Sequence, residues 1–340
     1  MKKIINYLKI DFNIDINNNI KIVDDIINKN INTFSLSYNE NKYTNDKYIL
    51  EYYNNEILQY LNEKLPKNLA QSIEIFKNTI FLNYWEIFNI FQILNIDIIN
   101  IFIKDENFNI PSLQTLFIYN KINQKLNKII VYLDNNFSVG LKNIDLKIIN
   151  KNLNNKNHLE YDLIIYDINE NDENVIFIIN LFMIYKMLNI KGNLIFKIEN
   201  INNFLIYYIL SILNKLFKHV YVYKPLINLS KYYYIICISK EKITNDKLSN
   251  FQHLNQISTQ NISKKIIILQ NNILINKNFI NYINFNNVVL FNINNILKLN
   301  NNDSIITFQN NMKKIETKFL KYFFPKSTNS HDSEIIIFSD

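Results

Sequence analysis

Through the middle of the chain, short apolar runs alternate with polar stretches that are compatible with helices. Strands are predicted at 98–103, 128–134, 161–167 and 193–199, and helices at 67–95, after Pro111, at 174–188 and at 202–217. Strands that are apolar throughout and separated by helices are typical of a parallel sheet covered on both faces. Two further apolar runs, 219–225 and 232–239, are joined by a short loop and predict an antiparallel pair at one edge. The pattern therefore predicts an α/β fold with a mostly parallel sheet.

The two ends of the chain have a different pattern from the middle. Residues 1–65 alternate short apolar stretches with asparagine and lysine clusters and are interpreted as an N-terminal extension with one helix, which Pro66 closes. Residues 66–240 form the predicted sheet domain, and residues 241–340 are expected to be a mostly helical tail. Phe, Trp and Tyr make up 14% of the chain, and many of them lie in this tail. Such a supply of aromatic residues favours an exposed face that meets a partner protein. The alternative is that AT-rich codons enrich phenylalanine and tyrosine everywhere, which would scatter them singly over the surface.

The stretch KGNLIFKIEN, residues 191–200, contains one of only two glycines in the chain. Glycine reaches backbone angles that other residues reach only at a cost, so Gly192 predicts a forced turn into the following strand. Lys197 then interrupts a strand that is otherwise apolar.

The composition is strongly biased toward asparagine, isoleucine, lysine and tyrosine. Ala70 is the only alanine, arginine is absent, and the hydrophobic fraction of 48% is ample for a core. The net charge of +7 is compatible with an anionic partner such as nucleic acid, although an AT-rich genome would also enrich lysine through its codons. Without arginine, contacts with RNA would rely on lysine charges, amides and aromatic faces.

Several classes of protein are excluded by the remaining sequence features. Cys237 is the only cysteine and forms no internal disulfide, which indicates a reducing compartment. The four histidines are scattered without the spacing of metal ligands, so no metal site is expected. The N-terminus is interrupted by charges and does not resemble a signal peptide, and the apolar run 202–217 is too short to cross a membrane. We therefore expect a soluble intracellular protein without membrane contact.

Three motifs in the predicted sheet carry a resemblance to a known family. YDLIIYD ends in Asp167, KGNLIFKIEN contains Lys197, and LFKHVYVYKPLINLSKYYYIICISK carries a Lys-Pro pair followed by a serine and an aromatic strand. In this order and spacing they resemble the FtsJ-type RNA ribose 2'-O-methyltransferases over residues 70–240. The resemblance implies a Rossmann-like methyltransferase fold, whose sheet ends in an antiparallel pair.

The same resemblance implies a degenerate catalytic site. Members of this family use a Lys-Asp-Lys-Glu tetrad, in which interleaved charges tune the lysine that activates the ribose hydroxyl. Asp167 and Lys197 match its second and third members, Ile87 best matches the first, and Tyr232 or the preceding Lys231 matches the fourth. Two of the four roles therefore lack the required residue. The pair also has a purely structural explanation, because a buried lysine needs a carboxylate partner.

The loop that would hold the cofactor also departs from the family pattern. Family members hold S-adenosylmethionine with a glycine-rich turn after the first strand, but this turn reads FIKDENFNIPSL and has no glycine. Asp105 or Glu106 remains a candidate to face a ligand there. Asp134 ends the second strand, where a carboxylate would bind the cofactor ribose, although an aspartate at this place is also common turn chemistry. S-adenosylmethionine is expected as a cofactor only if the protein is an active enzyme.

A second resemblance fits these losses. From NLIFKIEN to YYYIICISK, and again in the tail, the chain is similar to the small subunits of poxvirus mRNA capping enzymes. That resemblance implies a non-catalytic subunit in the host cytoplasm or virion, which binds a large capping subunit and stimulates its guanine-N7 methylation of the cap. The alternative is an active S-adenosylmethionine-dependent ribose 2'-O-methyltransferase that acts on capped RNA.

Overall fold

A computed structural model of the protein describes residues 7–9, 60, 63–64, 79–94, 100–105, 111–123, 129–133, 147–150, 160–167, 181, 184–198, 204–226, 232–242, 281–286, 306, 310, 314 and 317–324. Within these residues the strands are β1 (Tyr7–Lys9), β2 (Asn100–Asp105), β3 (Ile130–Leu133), β4 (Lys147–Asn150), β5 (Tyr161–Asp167), β6 (Leu188–Ile198), β7 (Phe217–Tyr223) and β8 (Tyr233–Lys240). The helices with assigned bounds are α1 (Thr79–Phe91), α2 (Pro111–Asn123) and α3 (Phe204–Leu216). In the tail, residues 281–286 and 317–323 are also helical.

The strands form one mixed sheet of eight in the order β1-β7-β8-β6-β5-β2-β3-β4. The five strands from β4 to β6 in this order pair in parallel, whereas β8, β7 and β1 add antiparallel pairs at the other side. The predicted α/β fold with an antiparallel edge is therefore confirmed. The strand order reverses direction between β2 and β5, and this reversal is where open α/β sheets bind their ligands, beyond the carboxyl ends of the strands.

Each face of the sheet carries its own apolar core, because successive side chains of a strand point to opposite faces. Ile165 and Ile195 belong to the core that contains α1, α2 and residues 319–324. The neighbouring Ile164 and Phe196 belong to the core that contains α3 and Tyr282. Both faces of β5 and β6 are thus buried, which explains why these strands are apolar almost throughout.

The antiparallel side of the sheet includes the only cysteine of the chain. Cys237 lies in β8, where its register partners are Leu194 of β6 and Val220 of β7. Its side chain is fully buried, and burial raises the pKa of its thiol well above the ordinary value. The thiol therefore lies within the interior of the sheet and remains protonated at neutral pH.

Two of the shortest strands were not predicted from the sequence. The N-terminal β1 pairs with β7, with Tyr7 opposite Tyr223, and β4 pairs with β3 at the opposite edge. Strands of three or four residues carry too few positions for an alternation of apolar and polar residues to be recognised. None of the helices in the described residues has the length and apolar character needed to cross a membrane.

The backbone-angle reason predicted for Gly192 is wrong, because its φ is not positive. β6 begins at Leu188 and runs through this glycine, and the residue with a positive φ is Lys191, at 67°. Gly192 is instead required for lack of space: a Cβ would lie 2.8 Å from the carbonyl oxygen of Asn189 and 3.1 Å from that of Tyr161. The pairing of β5 with β6 shifts its register between Tyr161 and Leu163, which brings the two backbones close at this point.

Replacing Gly192 by alanine is expected to lower the free energy of unfolding by about 1–3 kcal/mol, because two backbone carbonyls must move to accept the Cβ. The matched variant is Lys191→Gly, which is expected to be neutral or to stabilise by up to about 1 kcal/mol, since its φ is positive. Urea unfolding followed by circular dichroism measures both. A Gly192→Ala protein as stable as the Lys191→Gly protein would contradict the steric explanation.

Candidate functional site

Two charged side chains meet at the carboxyl ends of β5 and β6. Asp167 is the last residue of β5, Lys197 is the last but one of β6, and the Nζ of Lys197 forms an ion pair with Oδ1 of Asp167. Both side chains are almost completely buried, with relative exposures of 0% and 1%. The contact predicted from the sequence is confirmed, whereas a catalytic role for the pair stays a prediction.

A tyrosine from α1 covers this ion pair. The hydroxyl of Tyr84 donates a hydrogen bond of 2.9 Å to Oδ2 of Asp167, and its side chain is fully buried. Ile87, the residue that best matched the first lysine implied by the resemblance, packs instead in the apolar core with other residues of α1 and α2. Tyr84 lies three residues earlier, on the same side of the helix, and its longer side chain reaches the carboxylate. The side chain of α1 that meets Asp167 is thus a phenol and not a lysine.

An aromatic face lies beside the ammonium group of Lys197. Its Nζ is 4.7 Å from the ring centroid of Tyr232, which is a cation–π contact. Tyr232 immediately precedes β8 and is half-buried. The position matched to the glutamate of the tetrad therefore contributes a ring and no carboxylate, while the alternative Lys231 lies outside the described residues. Lys197 is stabilised by one carboxylate and one aromatic ring.

Polar contacts from the same turn of α1 extend to β8. Asn83 donates a hydrogen bond of 3.3 Å to the hydroxyl of Tyr234, whose ring packs edge-on against Tyr84 at 5.5 Å. Tyr234 is the register partner of Lys197 in the antiparallel pair β6 and β8. These side chains form a layer over the ion pair that joins α1 to the hairpin of β7 and β8.

A second buried carboxylate, that of Glu86 in α1, fixes the turn that follows β7. Oε2 of Glu86 accepts hydrogen bonds from the Tyr223 hydroxyl at 2.6 Å and from the backbone N of Leu226 at 2.9 Å. Burial first, and then the charge of Glu86, raise the pKa of Tyr223 well above its ordinary value. Glu86 was not singled out from the sequence, because a lone glutamate in a helix gives no signal of burial. Its role in the described structure is to hold the hairpin against α1.

The lysine of the Lys-Pro motif lies on the opposite side of the hairpin. The Nζ of Lys224 donates a hydrogen bond of 2.9 Å to the carbonyl oxygen of Tyr232 and lies 5.0 Å from the ring centroid of Tyr233. Its backbone N donates to the hydroxyl of Tyr282 in the tail, at 3.1 Å. Burial lowers the pKa of Lys224 to about 7. The motif thus connects the hairpin to the tail, and Tyr232 contacts both Lys224 and Lys197.

Of the three candidate cofactor residues, only Asp105 lies within the described residues. Asp105 ends β2 in register with Asp167, so it stands at the same edge of the sheet as the ion pair. Glu106 and Asp134 lie outside the described residues. Within the described part of the chain, no group of three histidine, cysteine or acidic side chains is arranged to hold a metal ion.

Comparison with known proteins gives distant structural likenesses. No protein-family model matches the chain, and no curated protein matches its sequence. Human methyltransferase-like protein 13, in complex with SAH, is similar over 58% of this chain and 98% of its own, at 11% identity and a TM-score of 0.36. Spermidine synthase from Thermotoga maritima is similar over 60% and 75%, at 14% identity and a TM-score of 0.35. SMU.1697c from Streptococcus mutans, also in complex with SAH, is similar over 47% and 95%, at 15% identity and a TM-score of 0.28.

The fold class follows from the strand order and not from these weak likenesses. An α/β sheet that is parallel from β4 to β6 and ends in antiparallel strands resembles the arrangement of a methyltransferase fold. Identities of 11–15% do not assign the chain to a particular family within that class.

Replacing Lys197 by methionine is expected to lower the free energy of unfolding by about 3–5 kcal/mol, because the buried charge of Asp167 loses its partner. Tyr84→Phe removes one hydrogen bond to the same carboxylate and should cost less, about 1–3 kcal/mol. The double variant Lys197→Met with Asp167→Leu is expected to regain most of the loss, since no charge remains. Denaturant unfolding measures all three, and a Lys197→Met protein of native stability would contradict the buried pair.

The stability of the protein is expected to rise with pH between about 7 and 9. The lowered pKa of Lys224 means that the folded state binds fewer protons than the unfolded state in this range, up to the ordinary value of 10.5. Its destabilising effect is full below pH 7 and declines as the pH rises. Above pH 9 the raised pKa of Cys237 acts in the opposite direction.

Lys224→Met should reduce this pH dependence, while Lys242→Met at an exposed position should leave it unchanged. Unfolding free energies measured in urea at pH 7, 8 and 9 test the difference. An unchanged slope in the Lys224→Met protein would show that this ammonium group keeps its ordinary pKa.

Proposed function

We propose that this protein is a methyltransferase-fold subunit without methyl-transfer activity, which stimulates cap guanine-N7 methylation by a large subunit of an mRNA capping enzyme. The observation that supports the loss of catalysis is the closed ion pair of Asp167 and Lys197 beneath Tyr84. The capping role and the large partner rest on the resemblance in the hairpin and the tail. The proposal therefore has two parts, which need separate tests.

The proposed loss of catalysis is supported by what a catalytic lysine has to do. A general base must come within hydrogen-bond distance of the hydroxyl that it deprotonates. Only 1% of Lys197 is exposed, its Nζ is engaged by Asp167, and the ring of Tyr232 lies beside it. Tyr84 supplies a neutral hydroxyl where the family has a positive charge. A ribose hydroxyl would therefore have to displace several packed side chains before it met the amine.

The described structure exposes fewer large apolar side chains for a partner surface than the composition suggested. Among the described residues, the large apolar side chains that are exposed are Ile190, Phe285 and Ile306, at 59%, 58% and 52%. Most aromatic side chains of the described residues lie in the two cores. Phe285 belongs to the helical residues 281–286 of the tail, whose Tyr282 contacts the Lys-Pro turn. This part of the tail is our candidate for contact with the large subunit.

The alternative is an active ribose 2'-O-methyltransferase that requires S-adenosylmethionine and acts on capped RNA. One observation favours it: the Asp167 and Lys197 pair persists at the carboxyl edge of the sheet, close to the strand reversal where such folds bind ligands. In that case α1 would have to move Tyr84 away from the pair when RNA binds.

Calorimetry with S-adenosylmethionine and a methylation assay on capped RNA test the first part of the proposal. We expect no binding below millimolar concentrations and no methyl transfer by the isolated chain, in the native protein and in Lys197→Met alike. Micromolar binding together with ribose methylation that Lys197→Met abolishes would establish the alternative.

Co-expression with the large subunit of a poxvirus capping enzyme tests the second part. We expect the two chains to co-purify and the guanine-N7 methylation rate of the large chain to rise when this protein is added. Phe285→Asp should weaken the association because it places a charge on the exposed tail face, whereas Lys242→Asp, at an exposed position after β8, serves as the control. Failure of both chains to associate would overturn the proposed partner.

A further inference from the structure

The C-terminal segment 317–324 packs against one face of α1. We call this face the aromatic socket; it consists of Phe81 and Trp85 of α1, Tyr119 of α2, and Tyr60. Phe324 stacks on Trp85 with ring centroids 5.0 Å apart and an interplanar angle of 10°. The indole Nε1 of Trp85 donates a hydrogen bond of 2.9 Å to the carbonyl oxygen of Phe323. A ring contact and a directed hydrogen bond thus hold the same two adjacent residues.

The remaining members of the socket surround this contact. Phe81 stacks on Trp85 at 6.0 Å, and Tyr119 meets the same ring edge-on at 5.4 Å. Tyr60, from the N-terminal part of the chain, meets Phe324 edge-on at 5.3 Å. Edge-on and offset arrangements of this kind each add a favourable contribution beyond the burial of area. The socket therefore fits an aromatic residue that is preceded by an accessible carbonyl.

The segment itself is amphipathic. Phe319, Phe323 and Phe324 are buried, whereas Thr317 and Lys321 are exposed. Residues 317–323 are helical, and the backbone N of Phe324 donates to the carbonyl oxygen of Leu320. A short helix with one apolar side is stable mainly when that side is packed on another element. The segment thus depends on the socket for its own structure.

The socket and the ion pair are contacted by neighbouring residues of one helix. Trp85 lies between Tyr84, which donates to Asp167, and Glu86, which holds the Leu226 turn. A helix moves as a rigid element, so a change in the position of Trp85 also changes the position of the Tyr84 hydroxyl. We propose that the packing of segment 317–324 in the aromatic socket holds α1 in place over the sheet, and that release of this segment opens the Asp167 and Lys197 pair.

Trp85 makes this proposal directly measurable, because it is the only tryptophan in the chain. Its fluorescence reports the docked state, in which the indole is 1% exposed. The opening of the pair is reported separately by the reaction of the Lys197 amine with an acylating reagent, measured peptide by peptide with mass spectrometry. Neither measurement needs a capping partner or methyl transfer, so the result is independent of the proposed function.

The experiment compares chains that end at residue 316 and at residue 324 with the full chain. We expect the shorter chain to show red-shifted Trp85 emission, stronger quenching by acrylamide, and acylation of Lys197 that is faster on the order of tenfold. The chain that ends at residue 324 should behave like the full chain. A synthetic peptide of residues 317–324 added to the shorter chain should restore both signals.

A point variant covers the case in which the truncated chain does not fold. Phe324→Ala in the full chain should shift both signals in the same direction, and Lys321→Ala, at an exposed position of the same segment, should shift neither. Lys240 is an internal control for local opening, because its Nζ is bound to the carbonyl oxygens of Tyr185 and Leu188 outside the socket. Trp85 exposure without faster acylation of Lys197, or acylation of Lys240 to the same extent, would overturn the proposed coupling.

Discussion

The centre of this structure depends on one constraint, which is the burial of the Lys197 ammonium group. An isolated charge in a protein interior is so unfavourable that it must be paired or neutralised. Lys197 meets this requirement through Asp167 on the neighbouring strand and the face of Tyr232. Asp167 in turn needs a donor, which Tyr84 provides from the covering helix. The charge of Lys197 thereby fixes the ends of β5 and β6, the helix α1 and the β7–β8 hairpin relative to one another.

The helix α1 makes more of the contacts in this arrangement than its amphipathic pattern suggests. Its residues 83–86 contact, in turn, β8, the ion pair, the C-terminal segment and the turn after β7. All four side chains form these contacts as hydrogen bonds. Buried polar groups specify one arrangement, because a shifted arrangement leaves them unsatisfied. With segment 317–324 packed on Trp85, the helix therefore has one well-defined position on the sheet, which the aromatic rings around Trp85 reinforce by packing.

The sequence predicted the sheet well because β5 and β6 are long, apolar and separated by helical stretches. It also predicted the meeting of Asp167 with Lys197, since the ends of neighbouring parallel strands lie at one edge. It did not predict Tyr84, because Tyr84 and Ile87 lie on the same side of α1 and only tertiary packing decides which of them reaches Asp167. Nor does any local pattern show that Trp85 meets Phe323, 238 residues further along the chain. Long-range contacts between aromatic residues leave no periodic signal.

The position of Cys237 in β8 makes the only thiol of the chain a probe of one of the two cores. Its side chain belongs to the core that contains α3 and Tyr282, so a reagent reaches the sulfur only when that core opens. The helix α1 and segment 317–324 pack on the other face of the sheet. The rate of thiol modification would therefore distinguish a protein that has loosened α1 from one that has opened the core beside α3, and it would do so without any engineered label.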